Sequence, residues 1–246
     1  RIVAKAAHSA VFGGRDITYS GRGYWQLTPL PSHEVLETFY RIAYWQGIPM
    51  SENAKVGGGT RDDDQIELLQ KVLPEYGTRS LQIVHFGPGR SQLTRRFVAQ
   101  GHSVVEVEPG RPSLVSSRGE RDFNSSGKST ITHVEYLRDV TGSFDLFFSS
   151  HSLEHVSDLS EVEDFWATHS RSGAAIFIEV PNCEVPGNGG CDGQVAAPHT
   201  FYFTRQYFAR LPVETVLLGT YSGNFPMEAL EGPEGDVIRF VGRSIP

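Results

Sequence analysis

Apolar residues in this chain gather into short unbroken runs, separated by turn-forming positions and by stretches with helical spacing. Runs at 81–86, 103–108, 130–134, 144–149, 174–180, 213–219 and 236–241 read as seven buried strands. Between them, segments 91–100, 112–118, 158–169 and 204–210 carry the apolar periodicity of helices. Strand and helix in alternation give a parallel sheet covered on both faces. Upstream, Ser32 is placed to cap a helix in which Val35, Leu36, Phe39, Tyr40, Ala43 and Tyr44 recur at helical spacing. Gly57, Gly58 and Gly59 then mark a break. Asp62, Asp63 and Asp64 follow in the first turn of a helix running to about Leu73, where negative charge suits the helix dipole. Residues 1–23 read as loop or weak hairpin.

Open parallel sheets bind ligands at the carboxyl ends of their strands. That rule gathers Gly87, Glu108, His133, Val134, Ser149, Ser150, His151 and Asn182 along one edge. The most informative stretch is Leu81 to Pro109, a strand, the turn Gly87-Pro88-Gly89, a helix and a second strand ending in an acid. Gly89 and Glu108 lie nineteen positions apart, the spacing that lets a glycine turn and a ribose-binding carboxylate hold one nucleoside. A nicotinamide fingerprint asks for a third glycine or alanine, at the position occupied here by Gln92. S-adenosylmethionine brings no phosphate to that helix start, so the turn leans toward this cofactor.

The segment Phe144-Asp145-Leu146-Phe147-Phe148-Ser149-Ser150-His151-Ser152-Leu153-Glu154-His155 and the run Ile178-Glu179-Val180-Pro181-Asn182 strengthen that reading. With His199-Thr200-Phe201-Tyr202-Phe203-Thr204 they resemble the class I S-adenosylmethionine-dependent methyltransferases over about residues 77–246. The resemblance implies an α/β, Rossmann-like fold with a seven-stranded, mostly parallel sheet, helices on both faces and an N-terminal helical cover. Residues 1–76 would be the cap segment and 77–246 the catalytic domain. It also implies a small-molecule methyltransferase working by in-line methyl transfer. Phe86, Gly87, Pro88, Gly89, Glu108, Pro109, His133, Val134, Ser149 and Ser150 would contact the cofactor, with Tyr24 and Tyr44 as aromatic partners of its sulfonium. His151, at the mouth of the fourth strand, and then His199 are the candidate bases. For the adenine amino group the chain offers Thr132, His133 or Glu135. Family members usually place an acid two residues before the first glycine, where this chain has His85, and a small residue where it has Ser91. The change at His85 leaves a second reading open, a catalytically silent domain that binds an adenosyl ligand or a protein partner. A nicotinamide-dependent oxidoreductase is the third, set back by Gln92.

His151-x-x-Glu154-His155 also matches one zinc-peptidase signature, which needs both histidines on one helix face and a third protein ligand. The motif starts at a strand-to-helix junction and no distant ligand is apparent, so no metal is expected. Lys and Arg total 22 against 29 Asp and Glu, a formal charge of −7 that disfavours nucleic acid as a partner. No apolar run is long enough to span a membrane, and no signal-peptide pattern opens the chain, so a cytoplasmic location is expected. In that compartment Cys183 and Cys191, the two cysteines, would be reduced. The glycine-rich segment from Asn182 to Pro198 reads as a mobile loop beside the acceptor site. A slot framed by Tyr24, Trp25, Tyr202 and Phe203 would suit a planar or sugar-like acceptor.

Overall fold

The computed structural model describes residues 11–44, 61–89, 91–109, 129–185, 199–222, 228–230, 232 and 234–245. The elements in chain order are β1 (Asp16–Tyr19), β2 (Tyr24–Thr28), α1 (His33–Phe39), α2 (Arg61–Val72), β3 (Gln82–Phe86), α3 (Leu93–Ala99), β4 (Ser103–Val107), β5 (Ile131–Val134) and β6 (Phe144–Ser150). They continue with α4 (Leu159–His169), β7 (Ser170–Pro181), β8 (Phe201–Phe203), α5 (Arg205–Ala209), β9 (Val213–Tyr221), β10 (Ala229–Leu230) and β11 (Val237–Ser244).

The main sheet has eight strands in the order β10-β9-β11-β7-β6-β3-β4-β5. Five strands from β5 to β7 run parallel, and β11, β9 and β10 pair antiparallel at the other side. The sequence pattern led to seven strands. The eighth, β10, has only two residues, both exposed, and so leaves no apolar run to read.

The central strands are continuous apolar runs because both faces of the sheet are covered. Successive side chains point to opposite faces, so neighbours in sequence enter different cores. Val84, Phe147, Ile176 and Ile178 pack beneath α4 and α5 with Phe165, Trp166 and Phe208. Ile83, Leu146, Phe148 and Phe177 pack on the other side with Ile66 and Leu69 of α2 and Phe97 of α3.

Local chemistry sets the helix starts. The Ser32 hydroxyl accepts from Val35 N and the Asp158 carboxylate from Ser160 N, each satisfying a free donor at the first turn. The first helix ends at Phe39 and passes into a π-helical turn over Tyr40–Tyr44, which the periodicity did not indicate.

The N-terminal segment is only partly helical. β1 and β2 form a hairpin, and β2 pairs with β8 in a separate three-stranded sheet, Tyr24 opposite Phe203 and Trp25 opposite Tyr202. Chain segments far apart in sequence thus close on each other, and a third core of Phe12, Leu27, Leu36, Phe39 and Tyr202 fills the space beside them.

The three aspartates that open α2 do more than meet its dipole. Asp63 pairs with Arg96 of α3 at 2.7 Å. Asp64 pairs with Arg239 of β11, and Asp62 reaches the glycine turn. Arg239 is fully buried and its Nε donates to Glu179 of β7 at 2.7 Å. A buried guanidinium survives only with such partners, so this pairing fixes α2 onto the sheet.

Cys183 is disulfide-bonded, not reduced as expected. Helix 112–118, the Gly57–Gly59 break, Trp45, Cys191 and residues 186–198 of the expected mobile loop lie outside the described residues, as does the side chain of Tyr44. No described helix is long and apolar enough to cross a membrane.

Candidate functional site

A cavity of about 580 Å³ opens at the carboxyl ends of β3, β4 and β6, within the ordinary size range for a small-molecule site. Its floor is the β3–α3 turn. Gly87 and Gly89 have φ of 66° and 54°, a left-handed conformation that side chains resist. At Gly87 there is also no room, since an added Cβ would stand 2.1 Å from the Ser152 hydroxyl. Ser152 in turn donates to the Gly87 carbonyl at 2.9 Å, stitching the β3 turn to the segment after β6.

Glu108 follows β4 and sits directly across the turn, where the Gly89 N–H donates to its Oε2 at 2.8 Å. The two residues singled out by spacing are therefore in contact. Phe86, Gly87, Pro88, Gly89, Glu108, Pro109, Ser150 and His151 all line the cavity.

The other residues named from sequence fall elsewhere. Tyr24 is buried against Phe201, Phe203 and Tyr207 in the small sheet, because β2 pairs with β8 and not with the cavity wall. The slot of Tyr24, Trp25, Tyr202 and Phe203 is for the same reason filled by its own packing. His133 turns into the sheet and pairs with Glu106 at 2.6 Å. Burial pushes the Glu106 carboxyl up, but hydrogen bonds from His133 and Thr94 with charge at His133 and His85 outweigh it and hold it at about 2. Val134 contributes its carbonyl to Glu108 N. Ser149 is fully buried, on the strand face opposite Ser150. Asn182 is buried too, its amide donating to the Gly235 carbonyl at 2.7 Å. Among the three candidates for the adenine amino group, Glu135 lines the cavity, together with Tyr136 and Leu137.

His85 is buried beneath the turn, its Nδ1 2.7 Å from the Thr94 hydroxyl and its ring edge-on to Phe148. It supplies no carboxylate. One comes instead from α2. Asp62 Oδ1 accepts from the Ser91 hydroxyl at 3.0 Å and Oδ2 from Gln92 N at 3.2 Å. Gln92 is the N-cap of α3 and makes no side-chain cap bond of its own, so Asp62 caps that helix from outside. Sequence offered no sign of this role beyond an acid in a helix first turn. Arg61 and Gln65 of α2, and His33, Leu36, Glu37 and Tyr40 of the first helix and its π turn, complete the wall on that side.

His151 follows β6 with φ 50°, the left-handed region, which turns its ring into the cavity wall. Its N–H donates to the Glu179 carbonyl at 2.8 Å. The ring lies between two carboxylates, Nδ1 3.6 Å from Glu154 and Nε2 3.5 Å from Glu179. Glu179 is itself held by Gln65, Ser150 and Arg239. His199 does not line the cavity. It stands behind His155, ring centroids 4.9 Å apart, and burial with the charge at His155 pushes it down to about 4.

A methyltransferase for 1,6-didemethyltoxoflavin from Burkholderia thailandensis, solved with that compound and S-adenosylhomocysteine, superposes with a TM-score of 0.58 at 17% identity, covering 94% of this chain and all (100%) of that one. An S-adenosylmethionine-dependent methyltransferase from Mesorhizobium loti superposes at 0.51 and 17% identity, over 74% of this chain and 98% of its own. The fold is that of the class I methyltransferases. No family model matches the sequence, and neither does any curated protein.

Proposed function

We propose that this protein is an S-adenosylmethionine-dependent methyltransferase acting on a small-molecule acceptor. The observation that carries the reading is the Gly89–Glu108 contact at the floor of the cavity. A left-handed glycine turn and an acid at the tip of the next strand form one receptor, of the chemistry a nucleoside needs. The donor set fits. Glu108 would accept from the ribose hydroxyls, giving up its bond to Gly89 N so that this N–H faces the ligand. Glu135 would take the adenine amino group. The turn and the start of α3, fixed by Asp62, would meet the amino-acid end of the cofactor, where family members use the acid that His85 replaces.

Bound S-adenosylmethionine would supply a methyl group activated by a sulfonium. The chain's own residues would then align the acceptor and exclude water, since positioning carries most of an in-line displacement. His151 is the residue for the acceptor's proton. It lines the cavity just after β6, with Glu154 3.6 Å from its Nδ1 and Glu179 3.5 Å from its Nε2. Residues 1–76 would act as a cap on a catalytic domain of 77–246, with α1 and α2 closing the cavity. The cavity's size suits a small metabolite beside the cofactor.

The test is transfer of labelled methyl from S-adenosylmethionine to pooled small metabolites, with release of S-adenosylhomocysteine. Labelled product that disappears in His151→Gln supports the reading. Cofactor binding without transfer to any pool would instead favour a silent adenosyl-binding domain.

A further inference from the structure

At the edge of the cavity, Glu154, His155 and His199 bring one ligand-type atom each to within 4.8 Å of one another. The carboxylate is the unusual member. Glu154 is 2% exposed, and neither of its oxygens has a hydrogen-bond partner. A carboxylate taken out of water without hydrogen bonds is costly, and native structures normally supply a partner or an ion. Among the described residues, ring nitrogens stand near it at longer range, His155 Nε2 at 3.7 Å and His151 Nδ1 at 3.6 Å.

We propose that Glu154, His155 and His199 form a binding site for a divalent metal ion of the zinc type. Two imidazoles and one carboxylate are a ligand set that such ions take, with bonds that would place the donor atoms about 3.4 Å apart in a tetrahedral site. His155 Nε2 stands 3.7 Å from Glu154 and no pair of the three exceeds 4.8 Å, so side-chain rotations that draw the ligands together would close the site around an ion. Three protein ligands leave a coordination position open. His155 lines the cavity, so the site adjoins the space next to His151.

The backbone holds the ligands together independently of any metal. Thr200, next to His199, donates through N and Oγ1 to the Glu154 carbonyl, and Oγ1 also to that of Val156. This clamp brings the strand-β8 segment against the turn after β6, a contact that sequence could not show. The site is not the zinc-peptidase pairing of His151 with His155. Those two residues do not share a helix face, because His151 is left-handed and Leu153–His155 is a single 3-10 turn.

Metal binding is read without the methyltransferase activity, so the two readings stand or fall separately. The full chain, stripped with chelator and dialysed, is titrated with zinc chloride by calorimetry. One ion per chain is expected at micromolar affinity or tighter. Binding should weaken at least tenfold in Glu154→Gln and in His199→Gln and be unchanged in His133→Gln, whose histidine lies at Glu106. His155→Gln is a parallel variant, and only variants with wild-type circular dichroism are compared. Absence of saturable binding to the wild-type chain overturns the proposal, as does binding that survives in every folded variant of the three ligands.

Discussion

Removing the Asp62 carboxylate tests whether α2 supplies what the β3–α3 turn lacks. Asp62 is 5% exposed and accepts two hydrogen bonds, from Ser91 Oγ and Gln92 N, both just before the α3 start. A hydrogen bond to a charged group contributes roughly 1.5–3 kcal/mol, and a charge at a helix N-terminus about 0.3–1 kcal/mol. Counting one of the two bonds plus the helix charge, Asp62→Ala should lower stability by about 2–4 kcal/mol. The turn then has to be ordered when the ligand binds. If one such bond's worth of ordering, about 1.5–3 kcal/mol, is charged to binding, affinity falls by roughly tenfold to more than a hundredfold. Asp62→Asn keeps the shape and one acceptor and should lose less of both. Calorimetric titration with S-adenosylhomocysteine gives the affinity, and urea unfolding the stability. A folded Asp62→Ala protein with wild-type affinity would show that the turn stands without α2, and the reasoning would fail.

At Gly87, alanine meets both a left-handed φ, costing about 1–2 kcal/mol, and the Ser152 hydroxyl 2.1 Å away. Gly87→Ala should abolish S-adenosylhomocysteine binding in a chain that keeps its far-ultraviolet spectrum, and adding Ser152→Gly should restore binding only in part; undiminished binding in the single variant contradicts this. Arg239→Met leaves Glu179 and Asp64 without their buried cation and should cost about 3–5 kcal/mol in denaturant unfolding, against less than 1 if the network is idle. Glu106 carries a pH dependence. Its carboxyl lies near 2 in the fold against 4.5 unfolded, so its stabilising share is complete above 4.5 and drains away as pH falls toward 2. That share is about 3 kcal/mol, and it depends on His133. The stability gap between wild type and His133→Gln, measured by urea unfolding at stepped pH, should narrow over this window; a gap that stays constant rules the pairing out.

The parallel strands were legible because burial on both faces writes them as apolar runs, and Leu81–Phe86 or Phe144–Ser149 could hardly be anything else. The Gly89–Glu108 contact was legible for a related reason, since one strand-helix-strand unit fixes it locally. What sequence missed are contacts made across long separations. Tyr24 read as a partner of the sulfonium, and with Trp25 as part of an acceptor slot, because nothing near them in sequence shows that β8, far along the chain, pairs with them. Asp62 read as a helix-dipole charge because nothing near it in sequence points to Ser91 or Gln92. His199 likewise meets Glu154 and His155 only through the Thr200 clamp.

The most direct measurement is calorimetric titration of the purified chain with S-adenosylhomocysteine, with NADH as control and Glu108→Ala as the variant. The account predicts one micromolar site for the adenosyl compound, no site for NADH, and loss of binding when the Glu108 carboxylate across from Gly89 is removed. Binding of NADH in preference, or adenosyl binding that does not depend on Glu108, would contradict it.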